Sequence, residues 1–335
     1  MWGLSETSWK GGDLTGRVAL VTGGNAGMGF AVAEQLAVHG AKVYMAARSE
    51  SKAGHAIRQY QQLHGLGAKG SITWLPLDLS SVKDVRRAVE QLRSLEQKLD
   101  ILVNSAGQMM ADYALSEDQL EMSVSVNHMG HFALTTMLLP LLRNATGEDT
   151  GDVRVVTISS GIHSKISRKD LGGSWDMDRT FASDAGHVNS LRAKVLRYAY
   201  SKLLNILFAT ELQRRCDRES IPIISMSINP GLVATDGALE LYPTWLRGAL
   251  KAVGRTPLQG ANAALFAAIA PEVGLKRAQY RGSYLNSRGE VDRASDIASD
   301  AQLAAELWEV SKMIVSKDLG NEDRSEKLTP ASPHF

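Results

Sequence analysis

Short apolar runs, most of them rich in β-branched residues, alternate along this chain with stretches of helical period. VALVTGG (18–24), KVYMAAR (42–48), ITWLPLD (72–78), LDILVNSAG (99–107), VRVVTISS (153–160) and IPIISMSINPG (221–231) predict buried strands, each closing in small or polar residues. Helical patterns lie between them, among them MGFAVAEQLAVHG (28–40), VKDVRRAVEQLRSLEQ (82–97) and LRAKVLRYAYSKLLNILFATELQRR (191–215). YRGSYLN (280–286) predicts a final strand, and a last helix follows at 300–317. Strands that are apolar throughout need cover on both faces, which a parallel sheet flanked by helices provides. The expected class is α/β: a single doubly wound parallel sheet with helices on both faces.

No linker or composition break interrupts residues 14–316, which read as one domain with an insertion at 161–197. Gly172, Gly173 and Trp175 lie near the middle of that insertion, and connections of such length are usually functional or disordered. Residues 317–335 are polar and aperiodic, with Pro330 and Pro333, and are expected to form a disordered tail. The chain has 335 residues and is 44% hydrophobic, enough for a sizeable core. Its 37 basic and 36 acidic side chains leave a net charge of +1, without the basic excess that marks nucleic-acid binding.

Cys216 is the sole cysteine, which excludes a disulfide framework and a cysteine zinc site, and it reads as a small side chain late in a helix. The N-terminal residues lack the pattern of a secretory signal, and no apolar stretch approaches the roughly 18 residues of a membrane span. A soluble, cytoplasmic protein acting on small molecules is expected, with no nucleic-acid partner, no membrane span and no metal.

The first strand runs into Thr22-Gly23-Gly24-Asn25-Ala26-Gly27-Met28-Gly29, and then a helix begins. Glycines let backbone approach a pyrophosphate, and a helix N-terminus offers it unpaired N–H groups. The spacing departs from the common G-x-G-x-x-G form, so the strand–turn–helix context carries the nucleotide reading, a Rossmann-like one. An acid at the tip of the second strand would favour NAD by accepting from the ribose hydroxyls. This strand ends Ala46-Ala47-Arg48, and Arg48 can offer its guanidinium fork to the 2′-phosphate of NADP. NADP (NADPH) is therefore favoured over NAD, with Glu50 as an alternative ribose contact.

Tyr198 and Lys202 stand four apart in a helical stretch and so share a face. A phenol near pKa 10 becomes a useful acid at neutral pH only when a neighbouring cation stabilises its phenolate. Tyr200 is two residues from Lys202 and points elsewhere. Ser160 closes the strand at 153–160 on the edge where doubly wound sheets place ligands, and its hydroxyl can hold a substrate oxygen. His128, His131 and His163 lack metal-ligand spacing and read as packing or hydrogen-bonding residues.

Together, Thr22-Gly23-x-x-x-Gly27-x-Gly29, Asp78-Leu79, Asn104-Ser105-Ala106-Gly107, Asn127, Ser159-Ser160, Tyr198-x-x-x-Lys202 and Asn229-Pro230-Gly231 with Thr235 resemble the short-chain dehydrogenase/reductase family. Val126-Asn127-His128-Met129-Gly130-His131-Phe132, Ser201-Lys202-Leu203 and Leu307-Trp308-Glu309-Val310-Ser311 resemble its retinol-dehydrogenase and WW-domain-oxidoreductase branch. Ser105 departs from the family, which more often has a second asparagine there.

The resemblance implies a catalytic set of Asn127, Ser160, Tyr198 and Lys202. In it Asn127 holds a helix backbone and a water in a proton relay to Lys202, which also binds the nicotinamide ribose. It further implies a cofactor cradle of Thr22, Gly23, Asn25, Gly27, Met28, Gly29 and Arg48. Asp78 and Leu79 would lie at the adenine, Asn104, Ala106 and Gly107 beneath the adenosine, and Pro230, Gly231, Val233 and Thr235 at the nicotinamide side.

The implied activity is an NADP-dependent ketoreductase or alcohol dehydrogenase, working as a homodimer or homotetramer. A non-catalytic nucleotide-binding scaffold of the same fold, or an isomerase or dehydratase, are the alternatives. Met109, Met110, Trp175, Leu241, Tyr242 and Trp245 suggest a pocket for a bulky lipophilic or natural-product-like carbonyl. The segment 239–255 reads as a helix covering the substrate or lying on a membrane surface.

Overall fold

The computed structural model describes residues 12–65, 67–147, 151–172, 175–235, 244, 247–248 and 254–326. In it the six apolar runs become β1 (Val18–Thr22), β2 (Lys42–Ala47), β3 (Ser71–Pro76), β4 (Ile101–Asn104), β5 (Val153–Ile158) and β6 (Ile223–Ile228). Every residue of β1, β4, β5 and β6 is buried, as their unbroken apolar pattern requires. The strands pair in the order β3-β2-β1-β4-β5-β6, all parallel, and β7 (Tyr284–Leu285) adds to β6 in the same direction. After β3 the chain crosses back to place β4 on the other side of β1, and at such a switch point the loops diverge and leave a crevice.

An eighth strand, β8 (Val291–Asp292), departs from the all-parallel expectation by pairing antiparallel with β7. It is two residues long and exposed, so it carries no apolar alternation to be read. A tight turn produces it: Gly289 adopts φ 76, and the Asn286 N–H donates to the Glu290 carbonyl at 2.9 Å.

Alternate residues of β1 feed opposite cores, as the two-residue period of a strand dictates. Ala19 and Val21 pack with α1 (Gly27–Val38) and, through Ala261 and Leu265, with the helix at Pro257–Ile269. Val18 and Leu20 face the core built by α3 (Val82–Leu95) and the helices Gly130–Ala145 and Leu191–Arg218. With α2 as Glu50–His64, these three later helices are α4 (Gly130–Ala145), α5 (Leu191–Arg218) and α6 (Pro257–Ile269), and α7 (Ala301–Glu326) follows. Trp308 of α7 seals the second layer, its ring 5.0 Å from Phe132 and 5.9 Å from Phe208.

α7 continues to Glu326, beyond the tail start expected at 317. Its extension, DLGNEDRSE, holds two Asp, two Glu and one Arg, which tolerate a helix without supplying an apolar stripe, and the first proline comes only at Pro330. None of the described helices is long and apolar enough to cross a membrane.

Candidate active site

The C-terminal ends of β1, β4, β5 and β6 open onto a cleft of about 1000 Å³, at the upper end of ligand pockets. Gly23, Asn25, Gly27, Met28, Gly29, Arg48, Asp78, Leu79, Ala106, Gly107, Ser160, Tyr198, Lys202, Pro230, Gly231, Val233 and Thr235 all line it. Thr22, Asn104 and Asn127 do not: each is buried behind the wall, at 0–1% exposure.

The mouth nearest β1 suits an anionic group. Ser49 and Ser81 cap α2 and α3 with their hydroxyls, whereas Ala26 at the start of α1 supplies no side-chain cap. The first N–H groups of α1 therefore need an acceptor from outside, with no acidic residue in that turn to compete. The turn admits no side chain: a Cβ on Gly29 would lie 2.3 Å from the Gly23 carbonyl oxygen, and Gly27 holds φ +54 beside Thr235. These features fit a dinucleotide pyrophosphate. At the β3 end of the cleft, Asp78 folds its loop by accepting from the Ser80 N–H at 2.9 Å and hydroxyl at 2.7 Å.

Thr22 acts on the turn after β4 and is not among the residues that line the cleft. Its hydroxyl accepts from the Ser105 and Ala106 N–H groups at 2.9 and 3.0 Å. Burial holds His131 down at about pKa 4, so its ring is neutral. His131 Nδ1 lies 2.9 Å from the Asn127 carbonyl, which can only accept, so Nδ1 carries the proton. Nε2 is left to accept from the Thr22 hydroxyl at 2.8 Å, which completes both groups. Asn104 likewise stays inside the wall, donating to Thr135 and Thr157 hydroxyls at 3.1 and 3.4 Å.

β5 delivers Ser159 and Ser160 at its tip, and α5 lays its Tyr198 face across them. The Ser159 hydroxyl donates to the Lys202 carbonyl at 2.7 Å, and Ser160 and Tyr198 line the cleft together. Lys202 Nζ donates to the Ile158 carbonyl at 3.0 Å and stands 5.7 Å from the Tyr198 ring centre. Burial pushes Tyr198 up to about 12, a shift the Ser160 hydrogen bond opposes, and brings Lys202 down to about 8. Lys202 thus stays mostly cationic at neutral pH and is the charge that can favour a phenolate on Tyr198.

Asn127 sits in a π turn, Ser125–Met129, just before α4, a feature that often marks functional positions. Its amide grips the loop at Gln108, where a helix backbone was expected. Nδ2 donates to the Gln108 carbonyl at 2.9 Å and Oδ1 accepts from the Gln108 N–H at 2.7 Å. Nδ2 also donates to Ser201 Oγ at 2.9 Å, and Ser201 donates to the Tyr198 carbonyl. The Gly107 Cα faces both groups: a Cβ there would lie 3.4 Å from Asn127 Oδ1 and 3.5 Å from Lys202 Nζ, within ordinary contact.

Ser201 and the Gln108 backbone escaped the sequence reading, whereas His131 takes the hydrogen-bonding role expected of it. Only Ser201 left a signal there, in its place beside Lys202. Met109 and Met110 line the cleft as expected, joined by Ala114, Met122, Val126, Ile162 and Leu232. Trp175 does not: it stacks on Tyr200 at 6.3 Å, against the core. Leu241, Tyr242 and Trp245 lie outside the described residues, as do Gly173 and most of 239–255. His128 bonds Ser311 at 3.0 Å, and His163 spans the Ser160 carbonyl and the Ser295 N–H. Among the described residues no cluster of His, Cys, Asp and Glu could hold a metal.

The family model described as short chain dehydrogenase matches residues 17–168. The short chain dehydrogenase/reductase dpchH of Colletotrichum higginsianum is 41% identical over 317 residues, covering 93% of this chain and 79% of its own length. Retinol dehydrogenase 14 of Mus musculus is 32% identical, covering 91% of this chain and 88% of its own. Among solved structures, the complex of Pseudomonas aeruginosa RhlG with NADP shares the fold at TM-score 0.59 and 24% identity, over 84% of this chain and 97% of that one.

Proposed function

The chain belongs to the short-chain dehydrogenase/reductase family and is an oxidoreductase, and from that premise we propose that it interconverts a bulky lipophilic alcohol and its ketone or aldehyde with NADP(H). The observation that carries this reading is the meeting of Tyr198, Ser160 and Lys202 in the same cleft as the uncapped N-terminus of α1. Bound NADPH supplies the hydride. The Ser160 hydroxyl holds the carbonyl oxygen, and Tyr198 gives that oxygen its proton as negative charge develops. Lys202 steadies the resulting phenolate, and Asn127 keeps the Gly107–Gln108 loop against Lys202. All four residues are present, which disfavours a scaffold without turnover.

Two observations support the finer assignments. Arg48 lines the cleft at the tip of β2, whereas Glu50 lies outside the lining on the exposed first turn of α2, so a 2′-phosphate is favoured over bare ribose hydroxyls. Three methionines with Val126, Ile162 and Leu232 line the substrate side, which suits a large apolar partner. The name of the mouse relative, a retinol dehydrogenase, points to the same class. NADPH oxidation followed at 340 nm is expected to saturate with all-trans-retinaldehyde and polycyclic ketones and to stay at background with pyruvate. Activity confined to small charged keto acids would overturn the substrate class.

A further inference from the structure

Resting on the lipophilic-carbonyl reading, we infer that Arg197 is a positioning residue that sets the substrate wall of the cleft by clamping loops 109–114 and 176–190 onto the helix that carries Tyr198. Arg197 directly precedes Tyr198, so α5 turns its side chain about 100° away from the phenol. It is 1% exposed. Nη1 donates to the Thr180 and Val188 carbonyls at 3.0 and 2.6 Å, and Nη2 to the Ala111 carbonyl at 3.1 Å. Nε lies 3.5 Å from the carboxylate of Glu121, itself fully buried, and the guanidinium sits 5.6 Å from the Tyr113 ring centre.

A buried cation is tolerated only when it is paired and hydrogen-bonded, so these carbonyls are held where Arg197 needs them. One planar fork serves both loops at once, which the single nitrogen of lysine cannot do with the same geometry. Further bonds knit the loops together: the Tyr113 N–H donates to Asn189 Oδ1 at 2.6 Å, its hydroxyl to the Asp178 carbonyl at 3.0 Å, and the Glu121 N–H to the Met177 carbonyl at 2.9 Å.

The consequence falls on Met109 and Met110. Gln108 before them is gripped by Asn127, and Ala111 after them by Arg197, so the pair spans two anchors across the cleft wall. Met110 adopts φ 46, a left-handed backbone that a methionine keeps only when its surroundings enforce it. Arg197 holds the residue next to it.

The test compares wild type, Arg197→Met, Arg197→Lys and Glu121→Gln, with all-trans-retinaldehyde as probe. Arg197→Met is expected to raise KM for retinaldehyde at least about tenfold, as a shifted wall loses contact, with kcat within about threefold and NADPH affinity within about twofold. Amide hydrogen exchange should quicken in 109–114 and 176–190 while β1, β4 and β5 keep their protection. Arg197→Lys and Glu121→Gln should fall between. An unchanged KM and unchanged exchange in a folded variant would overturn the inference. So would KM, kcat, NADPH affinity and Tm all worsening together, since that marks general destabilisation. If Arg197→Met does not fold, Arg197→Lys decides by the same criteria. If wild type ignores retinaldehyde, the substrate reading fails, while the exchange pattern still decides the clamp.

Discussion

Replacing Tyr198 with Phe is expected to cut NADPH-dependent reduction by about 10²- to 10⁴-fold, the usual contribution of a positioned general acid. That corresponds to about 3–5 kcal/mol of transition-state stabilisation. The substitution removes one oxygen and keeps the ring, so packing on α5 survives. Ser160 still reaches the carbonyl, but an aliphatic hydroxyl is a far weaker acid than a phenol and cannot replace it. Lys202 keeps its bond to the Ile158 carbonyl, and the glycine turn is untouched, so NADPH affinity should stay within a few-fold. Single-turnover rates and cofactor titration on the same preparation separate these effects. Turnover near wild type would remove Tyr198 from its role.

Arg48→Ala is expected to weaken NADPH binding by about 10- to 100-fold, from the loss of charge-assisted hydrogen bonds of about 1.5–3 kcal/mol. NADH carries no 2′-phosphate for Arg48 to hold, so its affinity should hardly move. Fluorescence titration of both cofactors against wild type and variant reads the difference. If both weaken equally, Arg48 supports the fold of the β2 tip; if wild type already prefers NADH, Glu50 becomes the ribose contact.

Much of this was legible in the sequence, and the reasons are specific. Ile101-Leu102-Val103 and Ile223-Ile224 are short apolar runs rich in β-branched residues, the pattern of strands buried on both faces. Tyr198 and Lys202 were separable from Tyr200 because four residues, and not two, return to the same face of a helix. What stayed hidden depends on pairs far apart in the chain: Thr22 with His131 across 109 positions, and Asn127 with Ser201 across 74.

Backbone partners leave no trace in residue identity at all. The carbonyls of Ala111, Thr180 and Val188 that hold Arg197, and the Gln108 peptide that holds Asn127, emerge only in three dimensions. Trp175 shows the converse, since an aromatic residue in a long loop invites a pocket reading, yet it finished its packing on Tyr200. β8 was too short to carry a pattern, and α7 ran on because charged residues permit a helix without announcing one.

Hydride transfer to a lipophilic carbonyl is the central claim, and isotope transfer tests it most directly. NADPH deuterated at the transferable C4 position would be incubated with the full-length protein and all-trans-retinaldehyde, and the product alcohol analysed by mass spectrometry. The account predicts an alcohol carrying one deuterium at the former carbonyl carbon, formed at a rate that collapses in Tyr198→Phe. Product without deuterium, or no NADPH-dependent product from any lipophilic carbonyl, would contradict it.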